Sequence, residues 1–401
     1  MSIRLTYIAI WWMCCLVWQV AKAPAAEPDS DPVKSAALQM LASPEQSVRV
    51  AALRVLGQVG TSAEVPLLLQ KAGMAETLAE KQAAFEALTA LKGDQVNNAL
   101  LAAMDDATSA GRALIIRVLT ERRAVDTTPQ LLSRAEDPDP QVRQECWKAL
   151  QLLAEARHAS ALIQLLMKVG SDEERELAER AVWAACQKSP DAQQACTPIL
   201  QALDKATATQ RCALLPVLGR LGGPRALEQI EAALADADPQ VRRAAVRGLC
   251  NWPDATVANR LLAIARQPET EEYRIWAVRA IARVAPLPDA RSPQTKFKLL
   301  SEALQLAQRT EDKRLILTRL SAVRVPESVE LALAHCDDPQ LAAAAQNTLL
   351  ALCEAMAANH PQLCRQAIEK ILPTLKEVSL KQRAQRVLQR ASGAGDGLRK
   401  Q

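Results

Sequence analysis

The sequence predicts an all-α fold, a right-handed α-solenoid of about eleven stacked two-helix repeats. The chain of 401 residues is 49% apolar but only 3% aromatic, which is too few rings for the strands of a β-sandwich or barrel. Alanine, leucine, arginine and glutamate dominate the composition, and these residues favour helices. One helical pattern also recurs about every 33 residues, which is the signature of a helical repeat array.

The first 26 residues differ from the rest of the chain. Arg4 precedes a nearly continuous apolar run over residues 5–20, and small residues follow at positions 23–26. A cationic start, an apolar core and a small-residue site are typical of a secretory signal peptide. The run is shorter than the roughly 20 residues that span a bilayer. We therefore expect a periplasmic or secreted protein, with an uncleaved N-terminal anchor as the alternative.

Residues 27–391 carry the repeat. Its clearest copies are residues 137–143 and 236–242, which both end in Asp-Pro-Gln-Val-Arg. The arginine of this motif defines position 0 of each copy. We place position 0 at eleven residues, namely Arg49, Lys81, Arg112, Arg143, Ala178, Arg211, Arg242, Arg274, Lys313, Ala342 and Lys381.

Each copy is predicted to contain two helices, A and B, with the turn between them just before position 0. In the seventh copy Gly223 and Pro224 open helix A, while Asp238 and Pro239 open helix B. The Asp238 carboxylate can accept backbone N–H groups as an N-cap, and proline suits the first helical position. Apolar residues recur at positions −1, +2, +3, +6, +7 and +10 of helix B. No repeat can bury such a stripe alone, so stability must come from stacking.

The Asp-Pro-x-Val-Arg pattern, followed by alanine and leucine at helical spacing, resembles HEAT repeats in the short form also called PBS-lyase HEAT-like. The resemblance covers roughly residues 31–390, and residues 178–186 and 249–254 look similar to secreted bacterial HEAT-repeat proteins. It implies a solenoid whose B helices line a concave face, and it says almost nothing about function. Some such proteins carry a fused hydrolase-like or c-type haem domain, but this chain has neither a β-rich segment nor a Cys-x-x-Cys-His motif.

Groups suited to catalysis are scarce. The three histidines, His158, His335 and His360, lie far apart, and the sequence contains no nucleophile elbow, phosphate loop or Cys-x-x-Cys metal motif. We therefore expect no enzymatic activity, no cofactor and no metal site.

Basic residues on the B helices are the strongest candidate binding feature. Positions 0, +1, +4, +5 and +8 are predicted to face away from the apolar stripe. Position 0 is basic in nine of the eleven copies, where pairing with acidic residues of the adjacent turns is the preferred explanation. Position +5 is basic in six copies, namely Arg54, Arg117, Lys148, Arg247, Arg279 and Arg386. We expect this row, on a concave face, to bind a protein partner.

Other ligands of the basic row stay open. An accessory module that binds an anionic glycan, or that holds a carbohydrate-active enzyme, is the first alternative. Nucleic-acid binding is the second. Without residues 1–26 the net charge is only about +2, and this near-neutral charge, together with export, argues against a nucleic acid.

Two tryptophans are further candidates for a contact with a partner. Trp183 is placed at position +5 of the fifth copy, and Trp252 is placed in a turn. Either ring, if exposed, would stack on a sugar or on a partner side chain. The alternative is that both rings fill gaps in the core.

Two cysteine pairs are possible disulfides. Cys186 and Cys196 flank a proline-containing turn, and so do Cys353 and Cys364. Such a bond would fix a helical hairpin in an exported protein. The alternative is that all four residues are buried thiols.

Two irregular segments remain. Residues 285–293 are proline-rich and form either a surface loop without a role or a small binding or hinge element. Residues 392–401 are glycine-rich and basic, and we expect a flexible tail there.

Overall fold

The computed structural model describes residues 31–191 and 194–398. This part of the chain contains twenty-two α-helices and no strand, so the prediction of an all-α fold is confirmed. The chain divides between Ala154 and Glu155 into two compact units. Residues 1–26 lie outside the described residues, so the signal peptide and the alternative anchor stay predictions.

Unit 1 contains four helix pairs. Its A helices are α1 (Asp31–Met40), α3 (Val65–Met74), α5 (Val96–Ala102) and α7 (Thr128–Arg134). Its B helices are α2 (Gln46–Val59), α4 (Leu78–Ala90), α6 (Ser109–Glu121) and α8 (Pro140–Leu153).

Unit 2 contains seven pairs, which completes the predicted eleven repeats. Its A helices are α9 (Ala159–Leu166), α11 (Thr197–Leu203), α13 (Pro224–Leu234), α15 (Ala258–Arg266), α17 (Pro293–Leu306), α19 (Pro326–Ala334) and α21 (Pro361–Ile371). Its B helices are α10 (Asp172–Gln187), α12 (Ala208–Leu221), α14 (Pro239–Cys250), α16 (Glu271–Val284), α18 (Thr310–Leu320), α20 (Ala342–Met356) and α22 (Val378–Leu398).

Most B helices begin at a capping residue four positions before position 0. Asp238 accepts a hydrogen bond from the Gln240 backbone N–H at 2.8 Å, and Thr77 accepts one from the Glu80 N–H at 3.3 Å. Each cap satisfies a backbone donor that has no partner within the helix. The predicted capping role of Asp238 is therefore confirmed.

Within each unit the helices form two layers. Every B helix packs on the A helix of its own pair, and successive B helices of a unit pack on one another. The apolar stripe of the fourth repeat is buried at Val142, Cys146, Ala149 and Leu150, as predicted. Position +4, however, was wrongly expected to face outward. It is buried in most repeats, as at Trp147 and Leu317, because neighbouring B helices cover both flanks of each inner B helix and widen the stripe.

Helices α12 and α14 meet at a pair of glycines. A Cβ atom added to Gly219 would lie 2.0 Å from the carbonyl oxygen of Gly248, and one added to Gly248 would lie 2.7 Å from the oxygen of Leu215. Any side chain at these positions would overlap the facing backbone. The two helices therefore touch backbone to backbone.

The two irregular segments make defined local contacts. In the loop 285–293, Arg291 donates to Asp289 through Nε at 2.7 Å, and Lys296 donates to the Leu287 carbonyl at 2.7 Å. Helix α22 continues to Leu398, so it does not end where the tail was predicted to begin. Ser392 lies within this helix, since its hydroxyl donates to the Leu388 carbonyl and accepts from Arg365.

No helix among the described residues is both long and apolar enough to cross a lipid bilayer.

Candidate protein-binding surfaces on the B helices

The arginines at position 0 hold the repeats together. Arg49, Arg143 and Arg242 each donate from Nη1 to two backbone carbonyl oxygens of the turn before their own B helix, at 2.8–3.2 Å. These turn carbonyls would otherwise lack a partner, so the arginine fixes the path of the chain from helix A to helix B.

Several of these arginines also reach an acidic residue of the next repeat. The pairs are Arg49–Glu80, Arg112–Asp137, Arg211–Asp236 and Arg242–Glu269, with N–O distances of 2.6–2.9 Å. The Arg49 guanidinium, with the Thr77 hydroxyl, holds the pKa of Glu80 below its usual value. The preferred explanation of position 0, pairing with adjacent acidic residues, is confirmed at these four arginines.

The fifth repeat requires a correction. Ser171 caps α10 by accepting from the Glu174 N–H, so position 0 is Arg175, which donates to the Val169 carbonyl at 3.3 Å. The earlier placement at Ala178 is wrong, and Ala178 is fully buried at position +3. The placement failed because the acidic residues 172–174 were expected in the turn before the helix. They form the first turn of the helix instead, where carboxylates interact favourably with the positive end of the helix dipole.

The corrected alignment places Arg180 at position +5 and Trp183 at +8, and most of the +5 row is already paired. Its ion pairs are Arg54–Glu86, Lys148–Glu145, Arg180–Glu176, Arg247–Glu179 and Arg279–Asp312. Arg386 is exposed on α22. The paired cations are neutralised in place, so the row is not a continuous basic surface.

Arg117 differs from the other members of the row. Its guanidinium lies 5.1 Å from the centre of the Phe85 ring of the preceding repeat, where a cation is attracted by the ring face. Arg117 is exposed and forms no ion pair with a described residue. It therefore keeps its charge available on the surface of unit 1.

A groove of about 870 Å³ lies beside Arg117, between α3, α4 and α6. Leu69, Leu78, Phe85 and Leu114 supply its apolar lining, and Leu78 is 82% exposed. Leu78 stands at position −3, the first residue of α4. Among the other described B helices only Val378 places a large aliphatic side chain there. Because this leucine lines the same groove as an aromatic ring and an exposed cation, the groove is a candidate contact surface.

Arg247 has an unusual partner. Its Nη1 and Nη2 atoms donate to the two carboxylate oxygens of Glu179, at 3.0 and 2.9 Å, and the Glu179 side chain is 2% exposed. Glu179 occupies the buried position +4. Burial raises the pKa of Glu179, and Arg247 lowers it in part. The sequence placed Arg247 among the candidates for partner binding and did not identify Glu179.

The two candidate tryptophans have different environments. Trp183 is half-buried below the guanidinium of Arg220, whose carbon lies 5.9 Å from the ring centre. Trp252 is only 2% exposed, and its Nε1 donates to the Thr256 hydroxyl at 3.0 Å. Trp252 is therefore a core residue and not a contact for a partner. It stands at position +10 of the seventh repeat, within the apolar stripe.

The candidate cysteines lie close together without a bond. Cys353 and Cys364 are free thiols, and a hydrogen bond between them lowers the pKa of Cys364 while that of Cys353 is raised. Burial, with the neighbouring Cys196, raises the pKa of the Cys186 thiol to about 12. The structure thus brings both predicted pairs together, with their sulfur atoms not joined.

Groups suited to chemistry do not converge in the part of the chain that the structure describes. His158 accepts a hydrogen bond from the Glu155 N–H at 3.0 Å and so caps a short 3₁₀ turn. No three potential metal ligands cluster among residues 31–191 and 194–398.

Comparisons with known proteins support the repeat assignment. The family model for HEAT repeats matches residues 97–183 and 227–304, less than half of the chain, and the fold class is an α-solenoid. No protein of curated function matches the sequence. The likeness to secreted bacterial members stays a prediction.

Solved structures of similar fold are larger than this chain. Kap121p bound to Pho4p matches with a TM-score of 0.51, over 92% of this chain and 46% of that one. Kap95p with RanGDP matches with 0.53, over 93% and 57%, and the Kap95–Nup1 complex with 0.50, over 98% and 59%. Each is 13% identical, so the likeness shows the fold alone. The chain spans about half the length of these proteins.

Proposed function

We propose that the chain is an exported, non-enzymatic scaffold that binds a protein partner in unit 1, at a groove between one A helix and two B helices. The contact surface is the groove between α3, α4 and α6. The observation that carries this proposal is Leu78, a leucine that is 82% exposed beside the Phe85–Arg117 contact. An apolar anchor next to an aromatic ring and a cation is the composition of a protein-binding hot spot.

The chemistry of the groove defines the partner segment. Leu69, Phe85 and Leu114 offer apolar surface, while Lys81 and Arg117 add exposed positive charges without ion pairs to described residues. A segment with one large apolar side chain flanked by acidic residues complements both features. Asp106 contributes one negative charge to the lining of the groove, so the two positive charges of Lys81 and Arg117 remain in excess.

The alternatives receive less support from the same surface. A glycan of many anionic units, or a nucleic acid, needs a track of unpaired cations, and five members of the +5 row are ion-paired. Solved HEAT solenoids with protein partners, such as Kap121p with Pho4p, are consistent with protein binding. An accessory module that holds a carbohydrate-active enzyme remains one form of the proposal, since that enzyme would be a protein partner.

Site-specific photo-crosslinking in cells tests the proposal. The full chain carries p-benzoylphenylalanine in place of Gln82, which is exposed and lines the groove. The matched control carries it at Gln130, which is exposed on helix α7. We expect a crosslinked protein from position 82 only. Its binding, measured by calorimetry, should weaken at least about tenfold in Leu78→Asp, which corresponds to about 1.4 kcal/mol.

Two results would reject the groove as the binding surface. One is equal crosslinking from both positions. The other is full affinity of Leu78→Asp for the protein crosslinked at position 82.

Export is tested separately. We infer that residues 1–26 are removed as a signal peptide, because of the cationic start, apolar run and small residues described above. Mass spectrometry of the protein from the exported fraction should find Glu27 as the N-terminus. An intact Met1 on membrane-bound protein would indicate the anchor instead.

A further inference from the structure

Three arginines lie within electrostatic range of the buried Glu179 in unit 2, namely Arg247, Arg220 and Arg175. Arg247 binds its carboxylate directly. Arg220 lies within electrostatic range of Glu179, Arg247 and Arg180, and Arg283 lies within range of Arg220. Among the described residues, five arginines in and around this cluster face three carboxylates, namely Glu179, the exposed Glu176 and the exposed Asp172, which pairs with Arg175. The cluster therefore has a surplus of two positive charges.

The surplus charge centres on Arg220, which has no hydrogen-bond partner. Among the described residues no acceptor receives a hydrogen bond from its guanidinium, although the side chain is half-buried on α12. Burial lowers the pKa of Arg220, and the nearby Arg247 lowers it further, while Glu179 raises it. A guanidinium has five donors, and those of Arg220 are open to solvent rather than buried, so an external acceptor can reach them.

A second donor at the same place also lacks a partner. The indole Nε1 of Trp183, the ring below Arg220, is buried without a hydrogen-bond partner. Glu179 cannot also bind Arg220 through two hydrogen bonds, because both of its oxygens already accept from Arg247, and Glu176 pairs with Arg180. The Arg220 guanidinium lies over the Trp183 ring without an acceptor, in a cluster with surplus positive charge, and this describes a site for an acceptor that the chain does not supply.

We propose that Arg220 and Trp183 form a binding site for a carboxylate, supplied by an aspartate or glutamate side chain of an acidic protein segment. The planar guanidinium offers two parallel N–H groups that match a carboxylate. The choice of a protein as the source of this carboxylate rests on the proposed function. The site itself does not depend on the groove of unit 1.

A single carboxylate fits this site better than a polyanion does. The basic residues around the cluster are themselves paired, as Arg180 is with Glu176, Arg243 with Glu272 and Arg279 with Asp312. The unpaired charge is therefore local and does not continue along the B helices. A nucleic acid or a sulfated glycan would need many such contacts, with a steep dependence on salt.

Fluorine NMR of the full chain labelled with 5-fluorotryptophan tests the site. The Trp183 resonance is assigned with Trp183→Phe. The probe is N-acetyl-hexaglutamate amide, and the neutral N-acetyl-hexaglutamine amide is its control. We expect the glutamate peptide to shift the Trp183 resonance saturably, and Arg220→Gln to weaken binding at least tenfold. Arg225→Gln removes the same charge from the exposed side of α13 and should bind as wild type does.

Glu179→Gln provides a variant with the opposite expectation. It removes the competing carboxylate and frees Arg247, so the glutamate peptide should bind several-fold tighter. Equal affinity in the wild type and Arg220→Gln, or equal losses in Arg220→Gln and Arg225→Gln, would overturn the site. Stronger binding of polygalacturonate or heparin than of the peptide would overturn the protein segment as ligand. Neither titration involves Leu78, so failure here is distinguishable from failure of the groove.

Discussion

The Arg247 guanidinium binds both carboxylate oxygens of Glu179, which lies 68 residues earlier in the chain and two repeats away. The contact passes over the repeat between them. At its own position +5 this sixth repeat has Pro216, and at +8 it has Gly219. Neither side chain is long enough to fill the space between Glu179 and Arg247. This bidentate ion pair therefore joins the fifth and seventh repeats, which are not adjacent in the solenoid.

Removal of Arg247 should destabilise unit 2 because it leaves Glu179 ionised and buried. We expect Arg247→Ala to lower the free energy of unfolding by about 3 kcal/mol, the lower end for breaking a buried pair. Urea unfolding followed by circular dichroism measures the change. The matched control is Arg180→Ala, which breaks an exposed pair with Glu176 and should cost under about 0.5 kcal/mol. Similar losses in both variants would contradict the special role of the Arg247–Glu179 fork.

Glu179 should make stability depend on pH in the direction opposite to an ordinary surface ion pair. Its pKa is raised in the folded state, mainly by burial, so the folded protein binds the proton more tightly than the unfolded chain does. The ionised form therefore weakens the fold at neutral pH, and this penalty disappears as pH falls toward the unfolded pKa of about 4.3.

The melting temperatures of the wild type and Glu179→Gln measure this effect, because the variant cannot titrate at position 179. The melting temperature of the wild type should rise relative to that of Glu179→Gln as the pH falls from 7 to 5. If the melting temperature of the wild type instead falls relative to that of the variant, Arg247 lowers the pKa of Glu179 by more than burial raises it.

The contact between Gly219 and Gly248 should tolerate no side chain. A Cβ at Gly219 would lie 2.0 Å from a backbone oxygen, and α12 and α14 must move apart to relieve this overlap. We expect Gly219→Ala to cost about 3 kcal/mol in the free energy of unfolding. Gly73→Ala is the control, because nothing lies within 4 Å of a Cβ at that position. It should change stability by less than about 1 kcal/mol. Equal tolerance of both substitutions would show that the two helices are not in backbone contact.

Cys353 and Cys364 should form a disulfide on mild oxidation. Their thiols already share a hydrogen bond, and the lowered pKa of Cys364 favours the thiolate that starts exchange. Peptide mapping after treatment with diamide should find the Cys353–Cys364 bond. The melting temperature should rise, since closing a loop of this length contributes roughly 3 kcal/mol. Cys336→Ser should leave the bond intact, and a dominant Cys336–Cys353 bond would contradict the prediction.

The repeat boundaries, apart from that of the fifth repeat, could be predicted from the sequence because they depend on local chemistry. Asp238 and Pro239 define the start of α14 with side chains only a few residues apart, and the same reasoning holds for Asp139 and α8. The apolar stripe likewise follows from helical spacing. The position +10 of Trp252 already indicated burial, although its place beside Pro253 favoured an exposed turn.

The Glu179 cluster could not be predicted because it depends on the distance between helices. Arg247 reaches Glu179 only where α12 and α14 lie close together, and this approach is set by glycines far from Glu179 in sequence. One local signal was present. Once Arg175 is taken as position 0, Glu179 is the one ionised residue at position +4 of the eleven repeats, a position that most copies fill with an apolar side chain.

The glycine contact also has a mechanical consequence for unit 2. Where side chains separate two helices, changes of rotamer let the helices slide and tilt, so that such a layer yields under load. Between α12 and α14 the backbones touch at Gly219 and Gly248, and no side chains lie between the helices there to permit such sliding. When unit 2 is stretched, the sixth and seventh repeats should move as one stiff piece while the other repeats of the unit extend.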